Sequence, residues 1–189
     1  MLWELGYKDI MGIDEAGRGA LSGPLVVAGV IYRKDEVVEE ARDSKVLSPQ
    51  ERERLYFKIL KKAKKVSVGI VAPLIIDKVN IYNATLYGIR EITSITPSPD
   101  YLLLDALLLK DLNIPQIKLI KGERKSISIA SASIVAKVTR DWIMKKLDKF
   151  YPEYRWSENK GYPTKYHISM ISKKGLTPFH RRSYKPCQI

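Results

Sequence analysis

The hydrophobic and polar positions of this chain alternate between short apolar runs and longer segments with helical spacing. Apolar runs typical of buried strands occupy residues 7–13, 25–32, 66–72, 101–104 and 116–120. Helices are predicted from about 48 to 65, over 74–95, over 126–150 and over 163–173. Strands that come first, with helices interleaved between and after them, predict an α/β sheet followed by a helical C-terminal appendage.

The predicted elements divide the chain near residue 150. Residues 1–150 contain all the predicted strands and are expected to form the catalytic domain. Residues 151–189 contain many basic and aromatic residues and few acids, so we expect a basic helical extension that contributes to substrate binding.

The charge balance points to a polyanionic partner. The 189 residues include 33 Lys and Arg against 21 Asp and Glu, a formal net charge of +12. Such an excess favours nucleic acid first and an anionic membrane surface second. Cys187 is the only cysteine, and no apolar run approaches the roughly 18 residues of a membrane span. We therefore expect a cytoplasmic monomer without disulfides or membrane segments.

The run at residues 10–24 carries the strongest chemical signal. An apolar segment leads directly into two adjacent carboxylates, Asp14 and Glu15. A buried carboxylate costs several kcal/mol without a partner, so this pair implies a counter-charge or a bound cation. Gly17, Arg18 and Gly19 follow, combining a backbone that a ligand can approach closely with a guanidinium fork. These features suggest phosphodiester chemistry, and the alternative is a strand that ends in an acidic turn.

Two further acids follow apolar segments. Asp105 comes directly after the run at 101–104, and Glu123 follows the segment at 116–122. Mg²⁺ and Mn²⁺ prefer carboxylate oxygens, and two such ions roughly 4 Å apart can assist phosphoryl displacement. Each acid alone is more readily a solvated turn residue, but acids at strand ends can converge at one edge of a sheet.

Six motifs resemble those of one protein family and occur along the chain in the same order as in that family. Asp-Glu-Ala-Gly-Arg-Gly-x-Leu-x-Gly-Pro at 14–24 closely resembles the opening signature of the prokaryotic type 2 ribonucleases H, or ribonuclease HII. The other matching motifs lie at 43–48, 79–84, 121–141, 160–164 and 180–184, and Asp105 also matches. The resemblance extends from residue 9 to about 184.

This resemblance implies a ribonuclease H-like mixed sheet flanked by helices. It also implies an endonuclease that cuts RNA in RNA–DNA hybrids and nicks duplex DNA on the 5′ side of an embedded ribonucleotide, with roles in DNA repair and replication. The products would carry 3′-hydroxyl and 5′-phosphate ends. The implied catalytic residues and ligands of two Mg²⁺ or Mn²⁺ ions are Asp14, Glu15, Asp105 and Glu123.

The resemblance also implies how substrate is recognised. RNA differs from DNA at a cleavage site by its 2′-hydroxyl, and the segment 17–19 would contact the junction ribonucleotide. Tyr162 would pack on the following deoxyribose, with a loop tyrosine that caps the core as the alternative. Lys45 and Arg181 are candidate phosphate contacts, although either could be a solvated surface charge. His180, beside Arg181, is a candidate for a position near the phosphates.

One position departs from the family. Glu123 stands where the family usually has Asp, which leaves the metal preference and the fourth ligand open. Asp141 is the rival fourth ligand, but we expect it to form an ion pair on its helix. Type 3 ribonucleases H carry a Glu there but usually a Thr at the place of Arg18, so type 2 is favoured.

Two other classes of function are less consistent with the sequence. A non-catalytic nucleic-acid-binding protein would bind with salt-dependent affinity and cleave nothing. A P-loop phosphotransferase is disfavoured because the Gly-x-x-x-x-Gly-Lys-Ser/Thr motif is missing. Residues 185–189 lack a pair of terminal aromatics, so no sliding-clamp docking peptide is expected.

Overall fold

The computed structural model describes residues 2–41, 47–95, 98–105, 107–109 and 111–188. The strands are β1 Ile10–Ala16, β2 Leu25–Ile31, β3 Lys65–Val71, β4 Tyr101–Asp105 and β5 Gln116–Leu119. The α-helices are α1 Pro49–Lys62, α2 Pro73–Thr93, α3 Ile127–Asp148, α4 Trp156–Asn159 and α5 Lys165–Lys174. Within the described residues, no helix is long and apolar enough to cross a membrane.

The five strands form one mixed sheet in the order β3-β2-β1-β4-β5. β2 lies between β1 and β3 and is antiparallel to both, whereas β4 lies between β1 and β5 and is parallel to both. Because β1, β4 and β5 point the same way, their carboxyl ends lie at one edge of the sheet. The predicted α/β class and the mixed sheet flanked by helices are confirmed.

The first strand continues through the two carboxylates. We predicted a strand over 7–13, but β1 runs from residue 10 to residue 16. Asp14 and Glu15 are paired with Ala28 and Val27 of β2. The acidic pair therefore belongs to the central strand, and the alternative of an acidic turn is wrong.

Helix α3 lies unusually close to β1. A Cβ atom on Gly12 would be 2.3 Å from the backbone carbon of Ser128, which no real side chain permits. Buried small residues on the helix, Ala130, Ala132 and Ala136, allow the same close approach. This packing brings the middle of α3 alongside the acidic end of β1.

The start of α1 follows the sequence prediction, while α2 departs from it. Ser48 and Glu51 form the predicted capping box, and Pro49 occupies the first turn. α2 is interrupted at Asn80, whose φ of 65° and ψ of 167° are not helical. The predicted single helix over 74–95 is therefore two helical segments joined at a kink.

The C-terminal residues pack onto the loop that follows β1. Trp156, Ile171 and Cys187 share a buried cluster with Leu21 of that loop and Met144 of α3. The α5 helix begins at Lys165 because the Thr164 side chain accepts a hydrogen bond from the third helical N–H. The residues beyond 150 thus pack against the loop on its buried side.

Candidate active site

Four acidic side chains lie at one edge of the sheet. Asp14 and Glu15 occupy the carboxyl end of β1, and Asp105 ends the neighbouring parallel strand β4. The Asp105 carboxylate accepts a hydrogen bond of 3.0 Å from the Gly122 amide, which ties the strand end to a 3-10 turn at Gly122–Arg124. Glu123 lies in that turn and is only 7% exposed. The fold thus places all four predicted acids in one region.

Burial and mutual repulsion destabilise the charged forms of the first two acids. The pKa of Asp14 is raised to about 6, mainly by burial and to a lesser extent by the carboxylates of Asp105 and Glu123, while hydrogen bonds from Ser133 and the Glu15 amide oppose the rise. Burial likewise raises the pKa of Glu15 to about 7, with repulsion from Asp14 as the next cause. A cation at this place would reverse both effects.

The donor chemistry of the site fits a divalent cation. Carboxylate oxygens are the ligands that Mg²⁺ and Mn²⁺ prefer, and the raised pKa values reflect burial and mutual repulsion of carboxylates, which a bound cation would offset. Among the residues that the structure describes, no three His, Cys, Asp or Glu side chains are already arranged as a metal ion's ligands.

A cleft of about 300 Å³ opens beside the acids. The predicted residues that line it are Glu15, Gly17, Arg18, Gly19 and Tyr162. The Arg18 guanidinium lies 3.4 Å from the Glu15 carboxylate and is 42% exposed, so it remains available to a ligand. The structure thus brings the Gly-Arg-Gly segment and the predicted aromatic to one cavity next to the candidate metal site.

The position of Tyr162 favours substrate contact over core packing. The ring is only partly buried and lines the cleft opposite Gly19. A Cβ on Gly19 would meet nothing closer than the Tyr162 ring at 4.0 Å, so the space between them is open. The Arg140 guanidinium carbon lies 5.4 Å from the ring centre and supports it from the protein side.

Arg181 does not lie where we expected it. Its side chain is completely buried, and its guanidinium donates to the backbone carbonyls of Gly17, Arg18 and Gly23. A buried guanidinium committed to the protein backbone gives no support to the expected phosphate contact. Lys45, the other expected phosphate contact, falls outside the described residues.

Two residues of the cleft were missed by the sequence analysis. Ser133 and Lys137 lie one turn apart on α3 and line the cleft with the predicted residues. Lys137 also pairs with Asp141 at 2.7 Å, which matches the ion-pair interpretation of Asp141. Ser133, Lys137 and Asp141 are spaced i, i+4 and i+8 along α3, so they share one face of the helix. This spacing could have identified the face from the sequence.

The two histidines form a buried structural pair. The Thr177 amide donates to Nδ1 of His180, so the His180 proton is on Nε2, 3.2 Å from Nε2 of His167. The latter nitrogen also accepts from the Trp156 indole, and Nδ1 of His167 donates to the Tyr162 carbonyl. Burial lowers the pKa of His180 to about 4, with His167 as the next cause. This geometry favours a neutral support of the Tyr162 loop over a position near phosphate.

Known proteins resemble this chain along nearly its whole length. A family model described as Ribonuclease HII matches residues 11–187. Ribonuclease HII from Ligilactobacillus salivarius is 49% identical over 98% of this chain and 72% of its own length. The crystal structure of ribonuclease H2 from Pyrococcus horikoshii OT3 has a TM-score of 0.79 at 26% identity and covers 95% of both chains. Bst-RNase HIII in complex with Mn²⁺ shares the fold, with a TM-score of 0.70 at 17% identity over 98% of this chain and 70% of that one.

Proposed function

Because this chain belongs to the ribonuclease HII family, and is a divalent-metal-dependent endoribonuclease acting on the RNA of RNA–DNA hybrids, we propose that it also nicks duplex DNA on the 5′ side of a single embedded ribonucleotide. The observation that supports this proposal is the cleft lined by Gly17, Arg18, Gly19 and Tyr162 directly beside the acidic edge of the sheet. Family membership sets aside the alternative of a non-catalytic binder.

The metal ligands in this proposal are Asp14, Glu15, Asp105 and Glu123, and the ions are Mg²⁺ or Mn²⁺. These four carboxylates would hold the two ions, and the bound ions would supply charge stabilisation for the attacking and leaving oxygens of an in-line displacement that leaves 3′-hydroxyl and 5′-phosphate ends. Hard carboxylate oxygens and the raised pKa values of the first two acids support this ligand set. Asp141 is the weaker candidate for the fourth acid because its carboxylate is paired with Lys137.

The cleft residues divide the recognition of substrate between them. The exposed backbone of Gly19 accommodates the ribose, whose 2′-hydroxyl can both donate and accept a hydrogen bond. The Tyr162 ring packs against the next deoxyribose, and Lys137 contacts a phosphate in the role that Arg181 is too buried to fill. The exposed Arg18 guanidinium adds a second cation at the scissile position.

The C-terminal residues 151–189 serve this site as an extension of the catalytic domain, residues 1–150. They supply Tyr162 to the cleft and Arg181 to the loop beneath it. Action as a monomer is part of this proposal.

The experiment that tests this function maps the cut on three duplexes of the same sequence: an RNA–DNA hybrid, a DNA duplex with one ribonucleotide, and an all-DNA duplex. We expect cleavage of the first two in Mg²⁺ or Mn²⁺, a cut 5′ of the single ribonucleotide, and an intact third duplex. Cleavage of the hybrid alone would overturn the single-ribonucleotide activity while leaving the established one in place.

A further inference from the structure

We infer that Arg181, together with Tyr184, is a positioning residue that aims the N–H groups of Arg18 and Gly19 into the cleft and thereby sets the preference for ribonucleotide over deoxyribonucleotide. The inference rests on the proposed function, because it assumes that this backbone segment contacts the 2′-hydroxyl. It assigns a role to a buried guanidinium that neither holds metal nor reaches substrate.

The Arg181 guanidinium holds both ends of the loop. Its Nη1 donates to the carbonyl of Gly17 at 2.7 Å and to that of Arg18 at 3.1 Å. Its Nε and Nη2 both donate to the Gly23 carbonyl, at 3.1 and 3.0 Å. One planar fork thus fixes three carbonyl groups, which a lysine ammonium on a flexible stem cannot reproduce.

Tyr184 completes the contact with the Arg18 carbonyl. Its hydroxyl accepts a hydrogen bond of 3.1 Å from Nη1 of Arg181 and donates one of 2.5 Å to the Arg18 carbonyl. The carbonyl that precedes Gly19 therefore has two donors on the protein side. Removing the hydroxyl would loosen this peptide group without removing the buried charge.

The direction of these carbonyls sets the direction of the adjacent amides. In a trans peptide the C=O and N–H groups point to opposite sides. Because the carbonyls of Gly17 and Arg18 point toward Arg181, the N–H groups of Arg18 and Gly19 point away from it. Neither N–H donates to another described residue, and both residues line the cleft. Cationic donors on the carbonyls also polarise the same peptide groups, which makes their N–H groups stronger donors.

The chain segment that carries Arg181 is itself fixed to the loop. The Arg181 amide donates to the Leu21 carbonyl, and the Gly23 amide donates to the Phe179 carbonyl, both at 2.8 Å. The backbone that carries the guanidinium is therefore hydrogen-bonded directly to the loop. This arrangement suits a residue that orients the loop, and it requires a test that separates orientation from simple stability.

The test compares Tyr184→Phe and Arg181→Lys with Arg182→Lys, a change at the adjacent exposed arginine. Dissociation constants are measured in EDTA by fluorescence anisotropy for a DNA duplex with one ribonucleotide and for the all-DNA duplex. Melting temperatures, kcat and KM on the first duplex are measured in parallel. Because a hydrogen bond contributes modestly, we expect Tyr184→Phe to weaken binding of the ribonucleotide duplex about three- to tenfold and to raise KM similarly. Binding of the all-DNA duplex and the melting temperature should stay close to wild type.

Arg181→Lys should show a larger loss of the same preference, and Arg182→Lys should show none. If Arg181→Lys does not fold, Tyr184→Phe alone decides the question. A folded Tyr184→Phe protein with the wild-type preference for ribonucleotide would overturn the positioning role. A wild-type protein that binds both duplexes equally would instead overturn the proposed recognition by the loop, and this inference with it.

Discussion

Replacing Asp14 by Asn should stabilise the metal-free protein while it removes activity. The Asp14 carboxylate is buried beside other acids, so its charged form is unfavourable when no cation is bound. An amide of the same shape keeps Oδ1 as the acceptor for the Glu15 amide, which donates to Asp14 at 2.8 Å, and its Nδ2 can donate to the Ser133 hydroxyl, which also accepts. The substitution therefore removes the charge and leaves the packing in place.

The magnitude follows from the pKa. The pKa of Asp14 rises from 3.8 to about 6 in the folded protein, which corresponds to about 3 kcal/mol of lost stability at neutral pH. The sign is fixed because the folded state binds this proton more tightly than the unfolded state. The cost is absent below about pH 4, grows between about pH 4 and 6, and is complete above that range. Asp14→Asn also relieves the repulsion that raises the pKa of Glu15, so Glu15 adds to the gain.

The assay is urea and thermal unfolding in EDTA, followed by the fluorescence of the three tryptophans. At pH 7.5 we expect Asp14→Asn to melt about 6–12 °C above wild type, since about 1 kcal/mol corresponds to 2–4 °C in a chain of this size. The difference should shrink as pH falls toward 4, and added Mn²⁺ should raise the melting temperature of wild type more than that of the variant. A variant that is no more stable than wild type at pH 7.5, or a difference that does not depend on pH, would refute this reasoning.

Other substitutions test the loop, the cleft and the buried histidine separately. Gly17→Ala should destabilise the protein by about 2 kcal/mol or more, because φ is +98° and the new Cβ would be 2.1 Å from Nε of Arg140; chemical denaturation measures this, and wild-type stability would contradict it. Gly19→Ala should fold normally, since its Cβ meets only the Tyr162 ring at 4.0 Å, yet raise KM because the methyl group enters the cleft; an unchanged KM would exclude Gly19 from substrate contact. Tyr162→Ala should lower kcat/KM at least tenfold on a single-ribonucleotide duplex, whereas Tyr162→Phe, which keeps the ring, should stay close to wild type. Steady-state kinetics measures both, and an equal loss in the two variants would contradict a role for the ring. Burial lowers the pKa of His180 from 6.5 to about 4, so the unfolded state binds this proton more tightly, and His180 removes up to about 3 kcal/mol of stability as pH falls through that range, against the opposite contribution of Asp14. Wild type should therefore lose stability relative to a His180→Gln variant when both are unfolded across this range, and a difference that stays constant with pH would contradict the prediction.

The acids of the site could be predicted because each follows an apolar strand. The run at 101–104 leads directly into Asp105, and β4 ends at that residue in the structure. The end of β1 was harder to predict, because charged residues usually mark the end of a strand. Here β2 supplies backbone partners for Asp14 and Glu15, so the strand continues through them. Pairing with a neighbouring strand, which the local pattern does not contain, decided that boundary.

The roles of the two buried arginines could not be predicted from local sequence. Arg181 donates to the carbonyl of Gly17, 164 positions away, and Arg140 donates to that of Pro24, 116 positions away. Arginine is usually exposed, so burial is expected only where acceptors of matching geometry are available. Those acceptors are backbone carbonyls of a glycine-rich loop, and only the tertiary structure brings them together.

The fourth acid is tested most directly by single-turnover nicking of a DNA duplex with one ribonucleotide, in Mg²⁺, Mn²⁺ or EDTA. The proteins are wild type, Asp14→Asn, Glu123→Ala and Asp141→Ala. We expect a metal-dependent nick 5′ of the ribonucleotide that is lost in Asp14→Asn and Glu123→Ala and retained in Asp141→Ala. Nicking in EDTA, or full activity of Asp14→Asn, would contradict the proposed metal site. Loss in Asp141→Ala with activity retained in Glu123→Ala would contradict the assignment of the fourth ligand.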